Sequence, residues 1–115
     1  MPVIGEKIKM NERLDLILKE LRQSLQGLYE DRLERIILFG SQARGDALEG
    51  SDIDLLIVLR GPVNSSEEIR RTGDIVSRIS LNHDVVVSCL FMSSDRFQFE
   101  KSPLLSNVRR EGVAV

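Results

Sequence analysis

The stretch that decides the fold spans residues 38–55 and has the sequence LFGSQARGDALEGSDIDL. Its first two residues close an apolar run, Arg35–Phe39, whose β-branched and aromatic side chains favour a buried strand. Gly40 and Ser41 then mark a tight turn. A loop of small and acidic residues follows, and a second apolar run, Ile53–Leu59, predicts a second strand. The stretch therefore predicts two strands joined by a turn and a polar loop.

Two aspartates stand where the second strand starts. Because side chains alternate between the faces of a strand, Asp52 and Asp54 are expected on the same side. Like charges this close repel unless a cation lies between them, and carboxylate oxygens are ligands that Mg²⁺ and Mn²⁺ prefer. A third apolar segment, Asp84–Phe91, predicts a strand that begins with another acid. If the two strands are neighbours after a helical crossover, Asp84 joins the pair, and three acids suit two metal ions.

The turn before the acids has the features of a phosphate cradle. Gly40 lets the backbone approach an anion closely, and Ser41 adds a hydroxyl. Arg44 brings a rigid fork of N–H donors that neutralises phosphate charge. Free backbone N–H groups at the start of a helical turn would add to the attraction. Cradle and metal site together suit a nucleoside triphosphate chelated by Mg²⁺.

The remaining segments predict helices around a sheet. Apolar residues spaced by three and four build one stripe over Asn11–Tyr29. Ser65 and Ser66 precede two glutamates, which is a helix-start signal, and a helical tail runs from Ser94 to Gly112. The predicted fold class is mixed α/β. It is a small mixed sheet flanked by helices, in the order helix, strand, turn, strand, helix, strand, helices, with the site at one edge.

Length and charge narrow the class of protein. The 115 residues fit a single domain, residues 1–115, and 42% hydrophobic with 30% charged residues is ordinary globular composition. The formal net charge is -2, so there is no overall positive field to hold a nucleic-acid backbone, and nucleic acid is not expected as a direct ligand. No apolar run approaches the roughly 20 residues that cross a bilayer. Membrane insertion is therefore not expected, and the expected location is cytoplasmic.

One arrangement of these residues matches a known family. Gly40-Ser41, ten intervening residues and Asp52-Ile53-Asp54 resemble the signature of the DNA polymerase β-like nucleotidyltransferase superfamily. The fuller stretches 38–45 and 51–55, together with the ending 102–113, are similar to its minimal nucleotidyltransferase branch. Asp84 falls where that family has its third acid. The resemblance covers the chain from about Leu33 onward.

The resemblance implies a nucleotidyltransferase-like fold and a role for each matching residue. Asp52 and Asp54 would bind two Mg²⁺ or Mn²⁺ ions, and Asp84 would bind the catalytic ion and help to deprotonate the attacking hydroxyl. That hydroxyl would attack the α-phosphorus of ATP and release pyrophosphate. The nucleotide-binding residues that the resemblance implies are Gly40, Ser41, Arg44 and Ser51.

The resemblance also implies a partner. Members of this size are commonly antitoxins paired with a HEPN-domain ribonuclease toxin, and some transfer AMP to a tyrosine of that toxin. The preferred function is therefore AMP transfer by an antitoxin, with neutralisation by transfer, by binding or by both. A small sheet leaves little surface to enclose a base and an acceptor, so a homo- or hetero-oligomer is expected to complete the pocket. Two alternatives stay open: a small-molecule enzyme similar to aminoglycoside adenylyltransferases, and a non-catalytic binder.

The single histidine provides a competing motif. Arg78 and His83 fit the Arg-x4-His pattern of HEPN ribonucleases. In that family the pair lies on one helix, whereas Asn82-His83-Asp84 is interpreted here as the turn into a strand. We therefore expect a surface or hydrogen-bonded histidine without a catalytic role.

Overall fold

The described part of the chain folds into a four-stranded sheet with helices on both faces. The computed structural model describes residues 10–45, 47 and 52–115. The helices are α1 (Met10–Tyr29), α2 (Ser41–Arg44), α3 (Ser65–His83), α4 (Ser94–Phe99) and α5 (Pro103–Glu111). The strands are β1 (Leu33–Phe39), β2 (Ile53–Leu59), β3 (Val87–Ser93) and β4 (Val113–Ala114). Within these residues no helix has the length and apolar composition needed to cross a membrane.

The strand order is β3-β2-β1-β4, and the sheet is mixed. β1 runs antiparallel to both β2 and β4, whereas β2 and β3 run parallel. Parallel neighbours need a long crossover, and α3 provides it. The predicted mixed sheet is confirmed, and the second and third strands are neighbours, which the sequence analysis leaves as a condition. The fourth strand was not predicted, and the site lies at the ends of the two central strands.

One face of the sheet is covered by α1 and α3. Ile17, Leu21 and Leu25 of α1 are fully buried against the odd-numbered residues of β2, and Ile79 of α3 joins them. The three-and-four spacing of α1 produces this contact because it places its apolar side chains on one side of the helix. The stripe ends at Tyr29, which is buried.

The opposite face is covered by α5. Leu105 and Val108 are buried against Leu56 and Val58, which are even-numbered residues of β2. The side chain of Ser102 accepts a hydrogen bond from the Leu105 N–H, and a proline occupies the first turn of the helix. Both faces of β2 are therefore buried, which explains its nearly continuous apolar sequence.

The predicted start of the third strand is wrong. Asp84 is not in β3 but closes α3 as a left-handed residue, with φ 52° and ψ 52°. Its backbone N–H and that of Val85 both donate to the Ser80 carbonyl, so the segment is attached to the end of the helix. Aspartate is one of the few residues that adopt this conformation readily. β3 begins three residues later, at Val87.

The interpretation of the histidine segment is wrong as well. His83 is the last residue of α3, so Arg78 and His83 lie on the same helix and not on either side of a turn. The ring nitrogen Nε2 of His83 is 2.8 Å from Oε2 of Glu20 on α1. The expected hydrogen-bonded histidine is therefore present, and its partner is a neighbouring helix.

A buried acid connects α1 with α3. Glu68 is 2% exposed, and its Oε1 accepts a hydrogen bond of 2.7 Å from the Tyr29 hydroxyl. Arg71 Nη1 lies 3.2 Å from the same oxygen, and Arg32 Nη1 lies 3.9 Å from Oε2. Burial and the bond to Glu68 raise the pKa of Tyr29, so the phenol stays protonated as the donor. This network compensates for burying a charge between two helices.

The network makes a stability prediction. Tyr29→Phe removes the hydroxyl donor from a buried carboxylate, and we expect the free energy of unfolding to fall by about 1.5–3 kcal/mol. Glu67→Gln is the matched control, because Glu67 also pairs with Arg71 but is 55% exposed. That control should cost less than about 1 kcal/mol. Urea unfolding followed by circular dichroism measures both, and equal losses would contradict the assignment.

Candidate active site

The register between β1 and β2 brings the predicted turn and the predicted acids together. Phe39, the last residue of β1, pairs with Asp54 near the start of β2. The chain then turns at Gly40, whose φ of 76° and ψ of -159° lie in a region that only glycine adopts without strain. A Cβ atom on Gly40 would lie 2.5 Å from Oδ2 of Asp54. The glycine is therefore required twice, for its backbone conformation and for the approach of the carboxylate.

The turn itself is the four-residue helix α2. The N–H groups of Ala43 and Arg44 both donate to the Gly40 carbonyl, at 3.1 Å each. Two backbone amides of the expected cradle are thus used inside the turn. Ser41 is half-buried at the start of α2, directly after Gly40, and remains the candidate for contact with an anion. These two N–H groups are therefore not available to bind a phosphate in the predicted cradle.

The structure pairs Arg44 with the far end of the chain. Its Nη1 lies 3.2 Å from Oε1 of Glu111, the last residue of α5. This ion pair connects the turn to α5, the helix that covers the face of the sheet with Leu56 and Val58. An arginine held this way must share or leave Glu111 before it can neutralise a phosphate.

Asp54, on β2, and Asp52, the residue before the strand, have the expected alternation with their apolar neighbours. Ile53 and Leu55 are 1% and 0% exposed in the core, whereas Asp52 is exposed and Asp54 half-buried. Burial raises the pKa of Asp54, and the nearby charge of Asp52 raises it further. Both effects disfavour the charged form of Asp54, and a cation beside the pair would oppose both. The donors are carboxylate oxygens, so these residues fit one hard divalent ion such as Mg²⁺ or Mn²⁺.

The predicted third acid does not join the pair. Asp84 caps α3 three residues before β3 begins, and the parallel register starts with Val87 beside Ile53. Among the described residues, no group of three His, Cys, Asp or Glu side chains could hold a metal ion. The expected convergence of Asp52, Asp54 and Asp84 is therefore absent. The error follows from the misplaced start of the strand.

Ser51, an expected nucleotide-binding residue, lies outside the described residues. Ser88, which belongs to none of the predicted site residues, pairs in register with Asp54. The register of β3 identifies Ser88, but that register depends on where β3 begins. The helix cap at Asp84 sets this start, and the strand pattern in the sequence does not reveal the cap.

Solved structures share this arrangement of helices and strands. A Sulfolobus solfataricus protein described as a "putative nucleotidyltransferase" superposes with a TM-score of 0.58 and 24% identity, over 97% of this chain and 90% of that one. A toxin-antitoxin structure with AMP-PNP superposes with a TM-score of 0.57 and 22% identity, over 87% of this chain and 69% of that one. At this level of identity the likeness shows the fold, which is the predicted nucleotidyltransferase-like fold.

The sequence comparisons concern the family. The family model described as "Nucleotidyltransferase domain" matches residues 18–110. A protein of Methanocaldococcus jannaschii named "putative protein adenylyltransferase" is 34% identical over 99 residues, which are 86% of this chain and 95% of the relative. The matched region includes the turn at Gly40 and the acids of β2. The chain therefore belongs to the nucleotidyltransferase domain family, and its activity is nucleotidyl transfer.

Proposed function

We propose that this chain transfers AMP from ATP to a hydroxyl group of a protein partner, as the antitoxin of a toxin–antitoxin pair. The single observation that carries the proposal is the close approach of the Asp54 carboxylate to Gly40, because nucleotidyl transfer needs a phosphate site beside a metal-binding acid and these two residues are the candidates for them. The name of the M. jannaschii relative supports a protein as the acceptor. The toxin-antitoxin structure with AMP-PNP supports an adenine nucleotide and a toxin partner.

The residues of the chain have distinct roles in this proposal. Asp52 and Asp54 would hold Mg²⁺, with Mn²⁺ as a substitute. Ser41 would contact the phosphates beyond the α-phosphorus, and Arg44 would add positive charge after sharing Glu111. When bound, the ion stabilises the charge that develops on the entering and leaving oxygens.

The transfer is a displacement at the α-phosphorus of ATP. The acceptor oxygen forms a new bond to that phosphorus, and the bond to the oxygen that bridges to the β-phosphate breaks. Pyrophosphate leaves, and the hydroxyl proton is released to the medium. The acceptor that we propose is a tyrosine of a HEPN-domain ribonuclease.

The exposure of the acids supports a partner at the site. Asp52 is exposed and Asp54 only half-buried, so the pair lies at the molecular surface. A phosphoryl transfer site has to exclude water and hold the acceptor in line. A second protein surface, from the toxin or from another copy, would therefore complete the pocket.

The direct test is a transfer assay. The chain is incubated with Mg²⁺, ATP labelled at the α-phosphate, and a HEPN toxin, and the label is expected on the toxin. Asp54→Asn should lower the rate by about 100-fold or more, because it removes a metal-binding charge. Its stability should hold or rise, since an ionised Asp54 is unfavourable in the folded state. Asp74→Asn, on an exposed position of α3, is the control and should transfer normally.

The other outcomes identify the alternatives. Label on an aminoglycoside would indicate the small-molecule enzyme, and tight toxin binding without label would indicate the non-catalytic binder. Unchanged transfer by Asp54→Asn would contradict the metal-binding role of the pair.

Nucleotide binding should depend on the glycine of the turn. Gly40→Ala would strain the backbone and push a methyl group into Asp54, so we expect affinity for AMP-PNP with Mg²⁺ to fall by about tenfold or more in calorimetric titration. Gly73→Ala is the matched control. Gly73 lies inside α3 with no atom within 4 Å of an added Cβ, so this change should stabilise the chain by up to about 1 kcal/mol and leave binding unchanged. Equal affinity in the two variants would be evidence against the turn as a phosphate site.

The titration of Asp54 offers a pH test. NMR of its carboxyl carbon should give a pKa above the ordinary value of about 3.9. Asp52→Asn should lower that pKa without restoring the ordinary value, because burial is the larger cause. The raised pKa favours folding at low pH, and this contribution is lost as the pH rises through it. Transfer needs the ionised form, so activity should fall at low pH, and with saturating Mg²⁺ the fall should come below the metal-free pKa because the cation favours the ionised carboxylate. If the pKa of Asp54 were the same in Asp52→Asn as in the unmodified chain, the interaction between the two carboxylates would be contradicted.

A further inference from the structure

We propose that Ser88 is the third side chain of the acidic site, so that this chain holds one divalent ion through two carboxylates beside a neutral hydroxyl. The inference rests on the proposed function, because it concerns the metal-binding site of that reaction. It replaces the expected set of three acids with a different set that the β3 register determines.

The position of Ser88 follows from an unbroken register. Seven consecutive pairs, from Ile53 with Val87 to Leu59 with Ser93, join β2 and β3 without a shift, and Asp54 pairs with Ser88. The Ile53 N–H also donates to the Val86 carbonyl at 2.9 Å, which extends the ladder before the strand begins. Paired residues on neighbouring strands lie only about 4.8 Å apart. Ser88 is therefore the residue of β3 directly beside Asp54.

The face that Ser88 occupies follows from alternation. Val87 and Phe91 are buried in the core that α1 and α3 cover, whereas Met92 is buried in the core that α5 covers. Ser88 alternates with Val87 and so shares the face of Met92, which is also the face of Asp54. Ser88 is exposed. Its hydroxyl thus belongs to the open surface that carries the carboxylates.

Asp84 cannot readily take this place. It precedes Ser88 by four residues, and a left-handed backbone conformation separates the helix end from the strand. The hydrogen bonds from its own N–H and from the Val85 N–H to the Ser80 carbonyl hold it at the end of α3. Moving it to the acidic pair would break the cap that ends α3.

The chemical consequence is a weaker metal site. Serine is uncharged near neutral pH, so the site has two negative charges where three acids would supply three. Affinity for hard divalent ions rises with the number of charged ligands. A site with two carboxylates therefore depends on additional oxygen ligands, which the phosphates of a bound nucleotide can provide. The hydroxyl of Ser88 can meanwhile donate a hydrogen bond to the Asp54 carboxylate or to a phosphate oxygen.

The experiment replaces Ser88 with an aspartate, so that the site has a third acid. Mn²⁺ is titrated into the full chain and free ion is measured by electron paramagnetic resonance. Ser88→Asp should bind Mn²⁺ about tenfold or more tightly than the unmodified chain. Leu90→Asp is the matched control, because Leu90 lies on the same strand and face, is 44% exposed, and pairs with Leu56 instead of Asp54. If Leu90→Asp fails to fold, Ser106→Asp on the exposed side of α5 replaces it.

Two more variants make the result specific. Adding Asp54→Asn to Ser88→Asp should abolish the gain, since both carboxylates would hold the same ion. Asp84→Asn should leave Mn²⁺ affinity within about twofold of the unmodified chain, as an exposed substitution outside the site does. A Ser88→Asp chain no tighter than its control, or a tenfold loss in Asp84→Asn, would overturn the proposal.

These readouts are separate from those of the proposed function. A gain of Mn²⁺ affinity in Ser88→Asp without any AMP transfer would keep Ser88 in the site and reject the proposed activity. Transfer that depends on Asp54, with no gain from Ser88→Asp, would keep the activity and reject the role of Ser88.

Discussion

The antiparallel register of β1 with β2, which sets Phe39 opposite Asp54, is the constraint on which the site depends. A slip of one residue would turn Asp54 into the core and Ile53 and Leu55 out of it. Burial of the Asp54 carboxylate among the apolar side chains of that core opposes the slip, because Leu56 and Val58 are as fully buried as their odd-numbered neighbours and do not distinguish the two registers. The same alternation that builds the core therefore presents the carboxylates on the other face. Gly40 completes the arrangement, because only a residue without a Cβ fits beside the Asp54 carboxylate.

The parts of the fold that the sequence predicts best are those with strong local patterns. β2 has the predicted bounds, Ile53–Leu59, because it is apolar throughout and flanked by turn residues. α1 begins within one residue of its predicted start because its stripe runs through five turns. The turn at Gly40 is likewise local, since glycine followed by serine after an apolar run marks it.

The parts that the sequence does not predict depend on distant partners or on a local choice between two structures. Three consecutive valines after Asp84 have a strand pattern, yet whether Asp84 begins the strand or caps the helix is decided by its bond to Ser80. β4 has only two residues and exists because Ile37 and Leu38 of β1 pair with it. The guanidinium of Arg44 suits a phosphate, but the sequence does not reveal its partner Glu111, which lies 67 residues away. The β4 pairing and the Arg44–Glu111 ion pair join residues that no local window contains, whereas the cap at Asp84 is a local contact that competes with a strand pattern in the same residues.

The candidate site in this chain has two acids, not the expected three. Two carboxylates, a glycine-serine turn and an arginine held by Glu111 form the described part of the site, and a serine stands beside Asp54. Under the proposed function, such a site would leave more of the metal coordination to the nucleotide and more of the enclosure to a partner.

The most direct measurement is a crystal structure of the chain with AMP-PNP and Mn²⁺, with anomalous scattering recorded at the manganese edge. The account predicts an anomalous peak between the carboxylates of Asp52 and Asp54, with the phosphates against Ser41 and with Asp84 still at the end of α3. A peak bound by Asp84, or a nucleotide located away from the Gly40 turn, would contradict it.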